Sequence, residues 1–204
     1  MSGRPTLIAV AGCSCSGKTT LARALAKKLG GELLPLDAYY RDLAHLSLAE
    51  RARANFDTPE AIEDGLLEEQ LSTLLAGREV DRPVYDFTTH TRSAATVRVQ
   101  PCSAVILEGL FALHWEAVRR MSLLKVFVEL DDAACLARRL DRDVRERGRT
   151  AVSVREQYTR TVQPMAARYI LPARQYADLI VSGAAPVAKS VAAVVSRLRR
   201  AAAV

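Results

Sequence analysis

A glycine-rich loop near the N-terminus, Gly12–Thr19, constrains the fold of this chain more than any other segment. Its sequence, GCSCSGKT, has two glycines separated by four residues and followed by Lys and Thr. The apolar run at 6–11 predicts a buried strand before the loop, and the run at 21–26 predicts a helix after it. This order of strand, glycine loop and helix is typical of the P-loop, which binds nucleotide phosphates.

The residue types of the loop suit a triphosphate. Glycine permits backbone conformations that turn N–H groups inward, and the following helix N-terminus adds unpaired donors. Lys18 brings a positive charge to the β- and γ-phosphates, and the Thr19 hydroxyl can face Mg²⁺. An accidental glycine-rich turn is the alternative. The residues expected to contact the nucleotide here are Gly12, Cys13, Ser14, Cys15, Ser16, Gly17, Lys18, Thr19 and Thr20.

Length, composition and charge narrow the class of protein. A chain of 204 residues suits one domain over 1–204, and no apolar run approaches the length of a membrane span. The apolar stretch ahead of Cys13 is too short for a secretion signal, so we expect a cytoplasmic protein. The net charge of +6 suits a polyphosphate ligand. It would also suit nucleic acid, but the arginines form no basic tail, so we expect neither nucleic acid nor membrane as a partner.

The four cysteines, at 13, 15, 102 and 135, have neither a disulfide framework nor zinc-binding spacing. Reduced thiols in the cytosol are therefore the simplest interpretation. A sharper hypothesis is that Cys13 or Cys15, beside a helix N-terminus, has a lowered pKa and is oxidisable.

Short apolar strands alternate with amphipathic helices along most of the chain. This pattern predicts an α/β fold, a P-loop NTPase-like parallel sheet with helices on both faces. The predicted strands are 6–11, 32–36, 104–107, 125–130 and 179–181, and the predicted helices are 18–29, 59–76, 111–121, 132–146, 152–170 and 186–201.

One segment, at about 80–100, breaks this alternation. Val80–Phe87 and Thr96–Gln100 resemble two strands with no helix between them, which predicts an inserted β-hairpin arm. Hairpins of this kind often overhang a site. The polar residues of the arm are Tyr85, Asp86, His90 and Arg92, and we expect them to face a cleft or solvent.

Two acids follow predicted strands. Asp37 comes after the strand at 32–36 and Glu108 after the strand at 104–107. Ligands of open parallel sheets bind beyond the carboxyl ends of the strands, so both acids should face the bound phosphates. A carboxylate there can hold Mg²⁺ or accept the proton of an attacking hydroxyl. The alternatives are a helix cap for Asp37 and a simple turn for Glu108.

A run rich in arginine, at 138–149, and an isolated histidine complete the candidates. The arginines can form a solvated basic face, paired with Asp141, Asp143 and Glu146, or a lid at about 138–157 that neutralises phosphate charge. We favour the lid.

His90 has no metal-binding neighbours in sequence, and either a packing role or a substrate contact is open to it.

Several widely spaced segments resemble the uridine kinase (uridine–cytidine kinase) family from about Thr6 to Ser182. Cys13 and Cys15 depart from the small residues that the family more often has in the loop. The matching segments are GCSCSGKT at 12–19, DAYYRD at 37–42, NFDTPEA at 55–61, PVYDF at 83–87, HTR at 90–92, LEG at 107–109, the arginine run at 138–149, EQY at 156–158, LP at 171–172 and YAD at 176–178.

The resemblance implies transfer of the γ-phosphoryl group of ATP or GTP to the 5′-hydroxyl of uridine or cytidine, with Mg²⁺ as cofactor. It implies Asp37 as the general base beside Lys18. It also implies a homo-oligomer, a tetramer in much of the family. The Mg²⁺ residues would be Thr19, Asp37 and Glu108. The lid contacts to phosphate would be Arg139, Arg142 and Arg147. The nucleoside contacts would be Asp37, Tyr40, Asp57, Tyr85, Phe87, His90, Arg149 and Gln157.

Three other functions are weaker alternatives. A P-loop kinase of the same architecture could act on a phosphorylated sugar or on pantothenate. A regulatory GTPase would need an Asn-Lys-x-Asp element, and Asn55 is the only asparagine. A nucleic-acid-binding ATPase is suggested by the basic charge alone.

Overall fold

A five-stranded parallel sheet forms the centre of the protein, whose computed structural model describes residues 5–51 and 53–201. The strand order is β2-β5-β1-β6-β7, and every neighbouring pair is parallel. The predicted fold class is therefore confirmed. The strands are β1 (Thr6–Gly12), β2 (Glu32–Pro35), β5 (Ala104–Glu108), β6 (Ser122–Glu129) and β7 (Leu179–Ser182).

Helices connect the strands and cover the sheet. The α-helices are α1 (Lys18–Leu29), α2 (Leu48–Arg51), α3 (Asp64–Leu75), α4 (Glu116–Met121), α5 (Asp132–Arg147), α6 (Ala151–Gln157), α7 (Gln163–Met165) and α8 (Val187–Ala201). Short 3₁₀ segments occur at Leu36–Tyr39, Pro59–Ala61 and Leu171–Tyr176, and π-helical segments at Tyr158–Val162 and Ala166–Ile170.

Alternate side chains of β1 enter two separate cores. Leu7, Ala9 and Ala11 belong to one, and Ile8 and Val10 to the other, and all are fully buried. This period of two is the ordinary geometry of a strand buried on both faces. Apolar residues of α1 and α8 cover the second core, and those of α3 help to cover the first, so helices lie on both faces as predicted.

The predicted hairpin is present as β3 (Val80–Asp86) and β4 (Thr91–Val99), which pair antiparallel outside the main sheet. Its second strand begins at Thr91 rather than Thr96. The segment at 91–95 is polar and mostly exposed, so apolar patterning does not reveal that it pairs with β3.

Several predicted helices differ in extent. The helix predicted at 59–76 is a 3₁₀ turn followed by α3, and the one predicted at 111–121 is helical only from Glu116. Thr58 precedes the 3₁₀ turn, but its side chain makes no capping bond, whereas Asp131 caps α5 through Ala133 and Ala134. The predicted helix at 152–170 includes two wider π turns, a feature often found near functional sites. Within the described ranges, no helix is both long and apolar enough to cross a membrane.

Candidate active site

The P-loop lies at the carboxyl end of β1 and requires unusual backbone conformations. Gly12 has a φ of 156°, and a Cβ there would lie 2.6 Å from the Val128 carbonyl oxygen, so only glycine fits. Gly17 has a φ of 101° immediately before α1. Cys15, at a φ of 63°, is a non-glycine residue in the left-handed region, which costs on the order of 1 kcal/mol. This strained, compact turn is the geometry of an anion-binding loop.

Thr19 and Glu108 meet across the sheet. The Thr19 hydroxyl donates to the Glu108 oxygens at 3.2 and 3.1 Å, and Glu108 is only 6% exposed. Burial raises the pKa of Glu108, while the Lys18 charge and the Thr19 hydrogen bond lower it and the Asp37 charge raises it. Glu108 is therefore not a simple turn residue. A hydroxyl and a buried carboxylate are hard oxygen donors that fit Mg²⁺.

Asp37 lies partly buried in the 3₁₀ turn that follows β2. The residue before this turn is Pro35, so Asp37 does not cap a helix. Burial raises the pKa of Asp37, and the neighbouring positive charges of Lys18, Arg147 and Arg142 oppose that rise. A carboxylate with a raised pKa among cations can accept a proton from a hydroxyl group near neutral pH.

Arg139, on α5, joins the arginine-rich run to the P-loop. It is 7% exposed, and its guanidinium donates to the Ser14 hydroxyl at 3.1 Å and to the Gln157 side chain at 3.2 Å. Arg149 donates to the same Gln157 oxygen at 2.5 Å. Three residues predicted for two different ligands therefore share one hydrogen-bond network.

The other arginines of the run divide between the site and solvent. Arg142 and Arg147 lie 2.8 and 3.5 Å from the buried carboxylate of Asp143. Arg145, by contrast, pairs with the exposed Asp141 and forms part of a solvated face. Part of the run therefore forms a solvated basic face, and the lid that neutralises phosphate charge stays a prediction for the arginines around Asp143.

An aromatic cluster lies where the hairpin meets the segment after Asp37. Tyr40 packs against Phe56 and Tyr85, with ring centroids 5.3 Å apart in each pair, and Phe87 lies 5.3 Å from Tyr85. His90 stacks on Phe56 at 4.8 Å with an interplanar angle of 19°. Phe87 is 58% exposed, which leaves an aromatic face open to a planar ligand.

The polar atoms of this cluster differ in what they can offer a ligand. The Tyr40 hydroxyl donates to the Phe56 carbonyl at 3.2 Å, so it is already engaged. The Tyr85 hydroxyl is buried and has no hydrogen-bond partner among the described residues. Burial raises the pKa of Tyr85 to about 12. Tyr85 is therefore a neutral phenol that a ligand can satisfy.

Asp57 lies between the aromatic cluster and the lid. Burial raises its pKa, which the Arg139 charge and a hydrogen bond from Thr161 lower. The Thr161 hydroxyl is 3.5 Å from Asp57 and also donates to the Gln157 backbone oxygen at 3.0 Å. The π segment Tyr158–Val162 thus brings Thr161 to a carboxylate placed to accept hydroxyl protons.

A cavity of about 520 Å³ opens beside Lys18 and the start of α1. Arg138 borders it and donates to the Cys15 and Gly183 carbonyls at 3.4 and 3.1 Å. The remaining residues that line it include Gly17, Thr19, Thr20, Arg142, Ser182, Ala185 and Val187. Its position beside the P-loop suits the rest of a nucleotide whose phosphates lie in the loop.

Sequence reasoning missed four residues of this region: Phe56, Arg138 as a P-loop contact, Thr161, and Arg92 as a contact to the segment after Asp37. Phe56 was recoverable because it directly precedes Asp57. The other three depend on long-range contacts, over 123, 104 and 52 positions. Periodicity and spacing carry no signal for such contacts.

The hypothesis of a lowered thiol pKa is wrong for Cys13. Burial raises its pKa, and the opposing charge of Lys18 does not overcome that effect. Burial also raises the pKa of Cys135, to about 12. All four cysteines are free thiols.

Comparisons with known proteins agree with this site. Residues 7–189 match the model of the "Phosphoribulokinase / Uridine kinase family". Proteins named "Uridine kinase" from Tolumonas auensis and Halalkalibacterium halodurans are similar to this chain. The first is 43% identical over 86% of this chain and 85% of its own length, and the second 44% identical over 89% and 87%.

Solved structures share the fold. A protein of Silicibacter sp. TM1040, provisionally described as a fructose transport system kinase, has a TM-score of 0.75 and 24% identity, over 88% of this chain and 91% of its own. D-glycerate 3-kinase of Cryptococcus neoformans has a TM-score of 0.62 and 19% identity, over 88% and 87%. The family model, the relatives and the site geometry agree, and the chain belongs to the phosphoribulokinase/uridine kinase family.

Proposed function

We propose that the protein is a uridine/cytidine kinase that transfers the γ-phosphoryl group of ATP or GTP to the 5′-hydroxyl of a pyrimidine ribonucleoside, giving UMP or CMP for pyrimidine salvage. The observation that carries this proposal is the position of Asp37. Its carboxylate interacts electrostatically with Lys18, Arg142 and Arg147, and its charge raises the pKa of Tyr40 in the aromatic cluster. Asp37 is therefore near both the cations expected to hold phosphate and the aromatic cluster.

The aromatic pocket favours a nucleoside as the acceptor. A planar base can stack on aromatic faces such as Phe87, while Tyr85 and His90 supply polar atoms for its edge. The carboxylate of Asp57 can accept hydrogen bonds from ribose hydroxyls. The aromatic faces of this cluster suit a planar base better than they suit the phosphate of a phosphorylated sugar. The relatives named "Uridine kinase" support the same choice of acceptor.

The donor side is proposed on the loop and the lid. The backbone of 12–17 would surround the β-phosphate, and Lys18, Arg139, Arg142 and Arg147 would neutralise charge that develops on the γ-phosphoryl oxygens. Thr19, Glu108 and Asp37 would hold Mg²⁺, which would supply positive charge to offset the charge of the phosphates. Among the described residues, no group of three or more His, Cys, Asp or Glu side chains could hold a metal ion, so the proposed site has two carboxylates and one hydroxyl.

The chemistry asked of the protein is mainly positioning. Asp37 orients the 5′-hydroxyl and accepts its proton as the oxygen attacks the γ-phosphorus. Phosphoryl transfer passes through a loose transition state, so alignment and positive charge contribute more than base strength. The hydrogen-bond network of Arg139, Gln157 and Arg149 would keep the phosphoryl donor and the nucleoside aligned with each other.

A substrate panel tests the proposal. Purified enzyme with Mg²⁺ is given ATP or GTP, and uridine, cytidine, adenosine, pantothenate, fructose 1-phosphate or no acceptor, and nucleoside diphosphate release is measured. We expect release with uridine and cytidine and identification of the product as the 5′-monophosphate. Turnover with pantothenate or the sugar phosphate alone would instead favour the rival kinase class.

A second arm tests the P-loop. Lys18→Ala should reduce turnover by roughly 10²-fold or more and weaken ATP binding, because the loop loses its point charge. Unchanged binding and rate would contradict the role of Lys18 in the P-loop.

A separate binding experiment tests the nucleic-acid-binding ATPase. Absence of a mobility shift with oligonucleotides at low salt would dismiss that function. The homo-oligomer, a tetramer by family resemblance, and the cytoplasmic location stay predictions that light scattering and cell fractionation test.

A further inference from the structure

One buried carboxylate, Asp143 on α5, is the common partner of four arginines. Asp143 is fully buried. Arg142 lies 2.8 Å from one of its oxygens and Arg147 3.5 Å from the same one, while Arg139 and Arg149 lie 3.5 and 3.6 Å from the other. No other acid of the chain's described residues has so many cationic neighbours.

The contacts are unequal. Arg142 holds the Oδ1 atom through two nitrogens, each at 2.8 Å. The Oδ2 atom is buried and has no hydrogen bond among the described residues, because Arg139 and Arg149 approach it only at ion-pair distance. Asp143 therefore binds Arg142 through hydrogen bonds. It holds the other three arginines nearby at ion-pair distance, through charge alone.

Two of the four arginines connect Asp143 to different parts of the candidate site. Arg139 reaches the P-loop through the Ser14 hydroxyl at 3.1 Å. Arg149 reaches Gln157, which by the proposed function contacts the nucleoside, at 2.5 Å. The Asp143 backbone oxygen also accepts from the N–H groups of Gly148 and Arg149, which ends α5 and directs the chain into α6. One residue thus fixes both the side chains and the backbone turn between them.

Charge explains why this residue matters. Four guanidinium groups and one carboxylate carry a net charge of +3, in a place where repulsion between the cations would otherwise push them apart. Asp143 reduces that repulsion and still leaves a large positive charge to face the triphosphate. It is too deeply buried to contact the substrates itself.

We propose that Asp143 is a positioning residue of the kinase reaction, which holds the lid arginines in one arrangement and thereby links alignment of the phosphoryl donor to alignment of the nucleoside. The inference rests on the proposed function, since it takes its ligands from there. The rival view is that Asp143 only neutralises charge so that the lid can fold.

Asp143→Asn separates the two views, because it keeps the shape of the side chain and removes the charge. With more net positive charge, the lid should bind ATP no more weakly, so KM for ATP should not rise. Looser arginines should lower kcat per folded enzyme by about 10–100-fold and raise KM for the nucleoside by about 3–10-fold. The matched control is Asp141→Asn, on the same helix with its side chain 64% exposed and paired only with Arg145, and it should leave all three constants within twofold.

A purely structural role predicts a different pattern. It would lower the melting temperature and the folded fraction, with kcat per folded enzyme and both KM values unchanged, and that result overturns the proposal. All rates are therefore measured well below the melting temperature and divided by the folded fraction from circular dichroism. If wild type does not phosphorylate uridine or cytidine, the proposed function fails; if wild type does and Asp143→Asn matches it, only this inference fails.

A second comparison covers the case in which Asp143→Asn does not fold. Arg147→Gln and the double variant Asp143→Asn/Arg147→Gln remove one cation, so the net charge of the double variant's cluster equals that of wild type. If Asp143 positions the other arginines, kcat of the double variant should stay about 10-fold or more below that of Arg147→Gln alone. Equal kcat values for these two variants would overturn the proposal.

Discussion

The Thr19 hydroxyl donates to both carboxylate oxygens of Glu108, although the two residues are 89 positions apart in the chain. The register of the sheet produces this contact. Glu108, the last residue of β5, lies beside Val10 of β1, so its side chain faces the loop and helix that follow β1. A hydroxyl bonded to a buried carboxylate at this edge is a ready pair of oxygen ligands.

We predict that Glu108→Gln weakens the binding of Mg²⁺ more than the binding of nucleoside. The amide keeps the hydrogen bond from Thr19 but removes the charge that attracts the cation. The apparent Mg²⁺ concentration for half-maximal rate should rise severalfold and kcat should fall by about 10–100-fold at fixed Mg²⁺. The measurement is the initial rate as a function of free Mg²⁺.

The matched control for this variant is Glu129→Gln. Glu129 ends β6, which lies on the other side of β1 from β5, but it is exposed and pairs with Arg174 at 2.7 Å. Its Mg²⁺ profile should match that of wild type. A Glu108→Gln enzyme with an unchanged Mg²⁺ profile would remove Glu108 from the proposed metal site.

Asp37→Asn should lower kcat by roughly 10²–10⁴-fold while nucleoside binding is largely kept, because the variant can still accept a hydrogen bond but not a proton. Because burial raises the Asp37 pKa, the acidic limb of the wild-type rate profile should lie above the pH at which an exposed aspartate titrates. The pH dependence of kcat/KM and calorimetric binding of uridine measure the two effects. Near-normal turnover would show that Asp37 is not the base.

The same variant should be more stable than wild type at neutral pH. The folded protein binds the Asp37 proton more tightly than the unfolded chain does, so wild-type stability falls as pH rises through the raised pKa. Asn does not titrate there. The melting temperature of Asp37→Asn should exceed that of wild type by a few degrees at pH 7, and the gap should shrink as pH approaches about 4. A gap that grows towards acid pH would contradict the raised pKa, and Asp141→Asn, at an exposed site, should show no such trend.

His90→Ala should weaken use of the nucleoside and spare use of ATP. The imidazole stacks on Phe56 inside the aromatic cluster, and its loss removes a polar edge and one wall of the pocket. We expect KM for uridine to rise by about 10-fold and KM for ATP to change less than twofold. The exposed His45 provides the control, since His45→Ala should change neither constant. Equal rises in both constants would place His90 outside the base pocket.

The sequence predicts the parts of this site that depend on local pattern. The P-loop, the acids near the ends of β2 and β5, and the presence of the hairpin follow from spacing and apolar periodicity. The bounds of the five central strands are right to within a few residues, because buried strands leave a strong apolar signal. Motif resemblance also identifies Arg149 and Gln157 as partners in one pocket, and the structure brings them into contact.

What the sequence does not predict is which residues meet across the fold. In the sequence, Asp143 is one of three acids in the arginine-rich run at 138–149, and nothing in the pattern separates it from Asp141. In the structure Asp143 is fully buried and Asp141 is exposed. The difference arises because α5 turns one face towards α6 and the P-loop. The sequence also gives no sign of the π turn at Tyr158–Val162, because this turn changes which side chains share a helix face without requiring a different composition.

Arg92, on β4, fixes the hairpin to the segment that carries Asp37. Its guanidinium donates to the backbone oxygens of Tyr40 and Tyr39 at 3.0 and 3.3 Å and pairs with Glu63, and its backbone N–H donates to Asp42 at 3.2 Å. Removing the guanidinium takes a charged hydrogen bond from the partly buried Tyr40 oxygen, whereas the Tyr39 oxygen keeps the bond from the Glu63 backbone N–H at 2.8 Å. Arg92 is therefore placed to keep Tyr85 and His90 at a fixed distance from Asp37.

Arg92→Gln should loosen this attachment. We expect a loss of about 1–3 kcal/mol in the free energy of unfolding and a rise of several-fold in KM for uridine, with KM for ATP unchanged because the P-loop is untouched. Arg98→Gln is the matched control: it lies on the same strand with its side chain 61% exposed and pairs with Glu79 and Asp81 within the hairpin and its approach, so it should change each quantity far less. Denaturant unfolding and steady-state kinetics measure both variants. If Arg92→Gln lost stability with no rise in KM for uridine, the contacts of Arg92 would stabilise the fold without setting the position of the nucleoside pocket.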